Sequence, residues 1–251
     1  MFNMDEIKLI LGDCLVEMPK IADKSIDMIL CDLPYGTTAC KWDTIIPFEP
    51  LWKEYKRIIK DNGAIVLTAK QPFTSNLLLS NINMFRYELI WQKDKGTDFG
   101  NSNIKPLNAH ENILIFYSKS PIYNKQMEIG KPYTKKNYRN NGNDDLNFKS
   151  DNSGVWINNG ERTPISVIKI SRDNISRGTS IHPTQKPVAL FEYLIKTYTN
   201  EGDLVLDNCA GSGTTGVACK NLNRNCILIE KDEEYFKIAE RRINQTSENL
   251  L

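Results

Sequence analysis

The chain has 251 residues, 40% of them hydrophobic, with 32 Lys+Arg against 31 Asp+Glu. That suits one domain with an insertion and a substantial core. No apolar run approaches a membrane span, and residues 1–6 lack the basic and apolar regions of a signal peptide. The six cysteines, at 14, 31, 40, 209, 219 and 226, contain no C-x-x-C pair. Neither a disulfide framework nor a zinc site is indicated, and a reducing cytoplasm is expected.

Ile7 to Leu11 reads as a strand, and Asp13 is placed to cap a short helix behind it. Ile26 to Cys31 is a second apolar run that leads straight into Asp32-Leu33-Pro34-Tyr35-Gly36. Phe48 to Lys60 has helical spacing, with Leu51, Tyr55, Ile58 and Ile59 on one side, and Asp61-Asn62-Gly63 ends it. Ala64 to Thr68 is a strand, and a helix runs from Gln71-Pro72-Phe73 through Leu79. Tyr87 to Trp91 and Asn112 to Tyr117 are further strands, joined by a polar, glycine-containing stretch from Lys93 to Pro106 expected to be a mobile loop. Pro187 to Thr197 and Glu233 to Ile243 read as helices, with fraying expected from Gln245 onward.

The stretch from Asp203 to Glu230 is the most informative. Leu204 to Leu206 suits a buried parallel strand ending at Asp207. Gly211, Gly213 and Gly216 follow with G-x-G-x-x-G spacing, and Thr214 can open a helix. A second apolar run, Ile227 to Ile229, ends in Glu230, 19 residues after Gly211. An acid at that distance suits the ribose hydroxyls in a nucleoside-binding β-α-β unit. The cofactor is then a dinucleotide or S-adenosylmethionine. Asp207 argues for the second, since a carboxylate repels a pyrophosphate and attracts a cationic amino acid end. The seven strands alternate with helices, as in an α/β three-layer sandwich. If they are parallel, Asp32 and Tyr35 share one rim with Gly211 and Glu230.

Charge is uneven along the chain. Residues 119–186 hold 12 Lys+Arg against 6 Asp+Glu, and the remainder 20 against 25. The same segment has 10 asparagines and no convincing periodicity. Its composition suits contact with a polyanion or a solvated loop region equally.

Four stretches resemble the amino-methyltransferases that modify DNA. Asp32-Leu33-Pro34-Tyr35 is similar to their D-P-P-Y motif, and residues 207–215 to their D-P-F-x-G-S-G-T-T cofactor motif. His182-Pro183-Thr184-Gln185-Lys186-Pro187 resembles the segment before that motif, and Asn108 to Leu114 a strand-entry motif. The order is that of the beta class, a circular permutation of the usual methyltransferase. The resemblance implies a three-layer, Rossmann-like fold with a mostly parallel seven-stranded sheet. It implies a catalytic half at 1–118, an inserted target-recognition region at 119–180 and a cofactor-binding half at 181–251. Leu33 departs from the motif's first proline, and Asn208-Cys209 from Pro-Phe, so the aromatic packing of many relatives is lost or supplied elsewhere.

The implied reaction moves a methyl group from S-adenosylmethionine to adenine N6 in DNA. Asp32 and the Leu33 carbonyl would hold the amine, Pro34 fix the turn and Tyr35 stack on the base. Asp32, where a serine would suggest cytosine N4, points to adenine. Asp207, Cys209, Ala210, Gly211, Ser212, Gly213 and Thr214 would line the cofactor. Glu230 would hold its ribose, Asp13 reach its adenine, and Thr184 and Lys186 close over its methionine end. Asp13 reads equally as a helix cap, and Lys186 as a surface lysine. The implied partner is duplex DNA read in a sequence-specific way, with Lys135, Lys136 and Arg139 on phosphates. The target base would be flipped out. The implied setting is a bacterial or phage-encoded cytoplasmic protein, monomeric or homodimeric, without a metal. Rival readings are cytosine N4 methylation, a nicotinamide-dependent oxidoreductase and a catalytically dead DNA-binding module.

Overall fold

A computed structural model describes residues 6–37, 43–136, 155–172 and 185–248. Its elements in chain order are β1 (Ile7–Leu11), α1 (Cys14–Glu17), β2 (Ile26–Cys31), α2 (Phe48–Ile58), β3 (Ile59–Ala69), α3 (Phe73–Ser80), β4 (Phe85–Thr97) and β5 (Asn108–Phe116). There follow β6 (Glu128–Ile129), β7 (Tyr133–Lys136), β8 (Val155–Asn158), β9 (Glu161–Arg162) and β10 (Val167–Lys169). The chain ends with α4 (Val188–Tyr198), β11 (Leu204–Asp207), α5 (Thr214–Asn221), β12 (Asn225–Glu230) and α6 (Glu233–Glu248). Contacts divide it into two compact units, one of Met1–Asn124 with Ser166–Leu251 and one of Lys125–Ile165.

In the larger unit one sheet has the order β1-β12-β11-β2-β3-β5-β4-β10. Every pairing is parallel except those of β5 with β3 and β4. The sheet is therefore α/β and mostly parallel, as expected, with all seven expected strands present. The eighth, β10, pairs with β4 through Val167↔Ile90 to Lys169↔Gln92. With three residues, only Ile168 of them buried, it offers no alternation to read from sequence.

Side-chain alternation divides the core between the two faces. Ile29, Cys31, Ile65, Leu67, Leu206 and Ile229 pack with Leu51, Tyr55 and Ile58 of α2 and with Phe73 and Leu77 of α3. Their neighbours Met28, Leu30, Ala64, Val66, Val205 and Leu228 pack with Leu190, Phe191 and Leu194 of α4, Ala218 of α5 and Ala239 of α6. The result is three layers with the sheet in the middle.

Two boundaries differ from the sequence reading. Ile59 is already in β3, opposite Ile26, and the ladder shifts register before Met28↔Ala64. The turn residues Asp61-Asn62-Gly63 thus sit at an irregularity within the strand rather than ending a helix. At the other end, α6 continues to Glu248, past the expected fraying point.

The smaller unit contains two ribbons. β6 pairs antiparallel with β9, and β7 pairs antiparallel with β8 through Tyr133↔Asn158 and Thr134↔Ile157. The Arg162 guanidinium lies 4.7 Å from the centre of the Tyr133 ring and adds a cation–π contact.

Candidate active site

Parallel pairing brings the carboxyl ends of β1, β12, β11 and β2 to one rim, and a cavity of about 540 Å³ opens there. Asp13, Asp32, Pro34, Tyr35, Lys186, Asp207, Gly211 and Glu230 all line it. Leu33, Cys209, Ala210, Ser212 and Thr214 line it too. Gly213 lies within the same loop, while Thr184 lies outside the described residues.

The glycine loop is built on its own acids. Gly211 has φ +52, and its N–H donates to Glu230 Oε2 at 2.6 Å. Glu230 Oε1 accepts from Asp232 N–H at 2.8 Å. Burial holds the Glu230 carboxyl above its ordinary range, against the pull of those N–H groups. Asp207 Oδ1 accepts from Cys209 N–H at 3.0 Å, and Oδ2 from the Thr215 hydroxyl. Burial outweighs these bonds and pushes the Asp207 carboxyl up to about 6. Gly216 lets α5 approach β12 closely, since a Cβ there would stand 2.6 Å from Leu228 Cδ1. Arg242 Nη1, from α6, ties the loop from outside through Ser212 O at 2.6 Å and Ser212 Oγ at 2.7 Å.

Asp13 does two things. Its Oδ1 caps α1 by accepting from Leu15 N–H at 2.9 Å, and its Oδ2 lies 3.1 Å from Lys231 Nζ. Asn208 is buried, and its Oδ1 accepts from the Tyr55 hydroxyl at 2.5 Å. Thus α2 supplies an aromatic ring next to the loop position where the motif's phenylalanine is missing.

Asp32 is the centre of a denser cluster. Its Oδ1 accepts from the Tyr35 hydroxyl at 2.7 Å and from the Thr68 hydroxyl. Its Oδ2 accepts from Lys186 Nζ at 2.6 Å. Lys186, expected at the methionine end of a cofactor, therefore has its ammonium on Asp32. Its side chain is only 5% exposed, and Glu111 Oε2 lies 3.3 Å from the same ammonium. Burial pulls the Lys186 ammonium down, but Asp32 and Glu111 outweigh it and the net displacement is upward. The Tyr35 ring stacks on Phe73 with centroids 5.2 Å apart. Thr68 and Glu111 escaped the sequence reading. They join Asp32 only through the pairing of β2, β3 and β5; Glu111 lies in the 108–114 stretch read as a strand-entry motif, but nothing in that pattern marks it as a neighbour of Asp32.

These residues fit S-adenosylmethionine better than a dinucleotide. The Gly211 N–H that would face a pyrophosphate already donates to Glu230. A Cβ at Gly211 would meet nothing within 4 Å, so there is open space beside the loop. Carboxylates from Asp13, Asp32, Asp207 and Glu230 line that space and suit a cationic ligand.

The sequence profile of the DNA methylase family, the N6/N4 methyltransferases, matches residues 26–241. The chain belongs to this family. It is a DNA amino-methyltransferase, with S-adenosylmethionine as its methyl donor. The type II methyltransferase M.HpaI of Haemophilus parainfluenzae is 29% identical over 96% of this chain and 75% of its own length. M.HinfI of Haemophilus influenzae is 28% identical over 95% of this chain and 68% of its own. The crystal structure of the M1.HpyAVI–SAM complex superposes with a TM-score of 0.63 at 25% identity, covering 94% of this chain and 99% of that one. The cytosine-N4-specific PvuII DNA methyltransferase shares the fold, with a TM-score of 0.67 at 16% identity over 98% of this chain and 94% of that one. No helix among the described residues is long and apolar enough to cross a membrane.

Proposed function

We propose that this DNA methyltransferase methylates the N6 amino group of an adenine flipped out of duplex DNA. The observation that carries the reading is the Asp32 cluster. A carboxylate, with Tyr35 and Thr68 hydroxyls fixing one oxygen, lines the same cavity as the glycine loop.

An exocyclic amine is a poor nucleophile because its lone pair is conjugated with the ring. Asp32 Oδ2 accepts an N6–H and stabilises the positive charge that grows on nitrogen. The Leu33 carbonyl accepts the other N6–H, Pro34 holds the turn, and Tyr35 offers the base an aromatic face. Asp207, Cys209, Ala210, Gly211, Ser212, Gly213 and Thr214 hold the cofactor, Glu230 its ribose and Asp13 its adenine. Bound S-adenosylmethionine supplies an electrophilic methyl group on a sulfonium. The target nitrogen in a stacked duplex cannot reach a half-buried Asp32, which supports base flipping.

Residues 119–180 carry target recognition, between a catalytic half at 1–118 and a cofactor half at 181–251. What supports this is the basic composition of the segment and the separate compactness of Lys125–Ile165, with Lys131 and Lys135 exposed on it. Arg139 lies outside the described residues.

The test is Asp32→Ala. Calorimetry should find S-adenosylmethionine affinity within a few-fold of the parent, while methyl transfer to DNA disappears. A variant that still methylates at more than a few per cent of the parent rate would refute the assignment.

A further inference from the structure

Four charges of alternating sign run from β4 to the end of β2. Lys93 Nζ lies 2.5 Å from Glu111 Oε1, Glu111 Oε2 lies 3.3 Å from Lys186 Nζ, and Lys186 Nζ lies 2.6 Å from Asp32 Oδ2. The Lys93, Glu111 and Lys186 side chains are 9%, 10% and 5% exposed. Glu111 Oε2 is the unusual member. It is buried and lies 3.3 Å from the Lys186 ammonium, without the alignment of a good hydrogen bond. A buried carboxylate oxygen with spare accepting capacity is costly and calls for a reason.

The Asp32 carboxylate supplies one. Its Oδ1 is filled by two hydroxyls, while its Oδ2 holds Lys186 and keeps one accepting position, so an arriving amine would bond beside the ammonium. An ammonium that stayed would neutralise Asp32. It would also put a like charge beside a nitrogen that is becoming cationic. Glu111 Oε2 already lies next to that ammonium, and Lys93 holds the other Glu111 oxygen in place. The ammonium is already within ion-pair distance of both carboxylates.

We propose that Glu111 is a positioning residue for methyl transfer: it draws Lys186 off Asp32 when the target amine arrives. Between turnovers Lys186 neutralises Asp32. This rests on Asp32 being the acceptor of that amine.

Steady-state kinetics and cofactor calorimetry test it, on duplex DNA carrying the site the parent methylates. Glu111→Gln should lower kcat tenfold or more, with KM for DNA and Kd for S-adenosylmethionine within threefold of the parent. Glu111→Asp should recover part of that loss. The deciding arm is Lys186→Met. With the ammonium gone, adding Glu111→Gln should cost no further rate. Parent-like kcat in Glu111→Gln, or a full multiplicative loss in the double variant, would overturn the proposal. If Glu111→Gln does not fold, Glu111→Asp alone and combined with Lys186→Met serves the same comparison. An inactive Asp32→Ala beside an unaffected Glu111→Gln sinks only this proposal, whereas an active Asp32→Ala sinks the reading beneath it.

Discussion

Asp207→Asn should make the ligand-free protein more stable and the cofactor site worse. Asp207 is 2% exposed, and burial raises its carboxyl from 3.8 to about 6. Two units correspond to about 3 kcal/mol. The sign follows from proton binding. Between the unfolded value near 3.8 and the folded value near 6, the native state binds the proton more tightly. Asp207's contribution is thus fully present below pH 3.8 and lost as the pH rises through 6. At pH 7.5 the folded protein bears the whole cost of a desolvated carboxylate. An asparagine removes that titration and keeps one acceptor for Cys209 N–H, while the Thr215 hydroxyl can turn to accept from the amide. Allowing about 1 kcal/mol for poorer hydrogen bonds, the variant should gain about 1–2 kcal/mol at pH 7.5. Urea unfolding without ligand at pH 5 and pH 7.5 measures this, and the variant should lose part of the parent's pH slope. Cofactor affinity should fall, because the cationic ligand loses its counter-charge. A variant no more stable at pH 7.5, with the parent's slope intact, would show that Asp207 is not held at a cost for the ligand.

Glu230→Ala should weaken S-adenosylmethionine binding by roughly 1.5–3 kcal/mol, through lost charged hydrogen bonds. An unchanged Kd by calorimetry would remove Glu230 from the site. Changing Lys131 and Lys135 together to Ala should weaken binding to every duplex and flatten the salt dependence by about two units of slope. Sequence preference and cofactor affinity should survive, and an unaltered salt slope would mean these lysines face only solvent.

Local pattern was enough for most of the scaffold. The apolar runs at Ile7–Leu11, Ile26–Cys31 and Leu204–Asp207 are the strands β1, β2 and β11, and the turn chemistry of the glycine loop lies where its spacing put it. The errors fall where a non-local partner decides. Polar β4 runs on to Thr97, and Lys93 there is fixed by Glu111, so the stretch read as a loop begins as strand. Asn208 finds its aromatic neighbour 153 positions away in Tyr55. Lys186, which the sequence leaves open between a surface lysine and a residue over the cofactor, is among the most buried charges of the described residues, where an acid just past β2 and one in β5 meet it. Pairings of this kind arise from sheet order, which periodicity does not encode.

The most direct measurement is the identity of the methylated nucleoside. Purified protein is incubated with duplex DNA and S-adenosylmethionine bearing a deuterated methyl group. The DNA is then digested to nucleosides and analysed by mass spectrometry. The label should appear in N6-methyladenine, and Asp32→Ala should abolish it. Label in N4-methylcytosine, or none in DNA while the cofactor binds, would contradict the assignment.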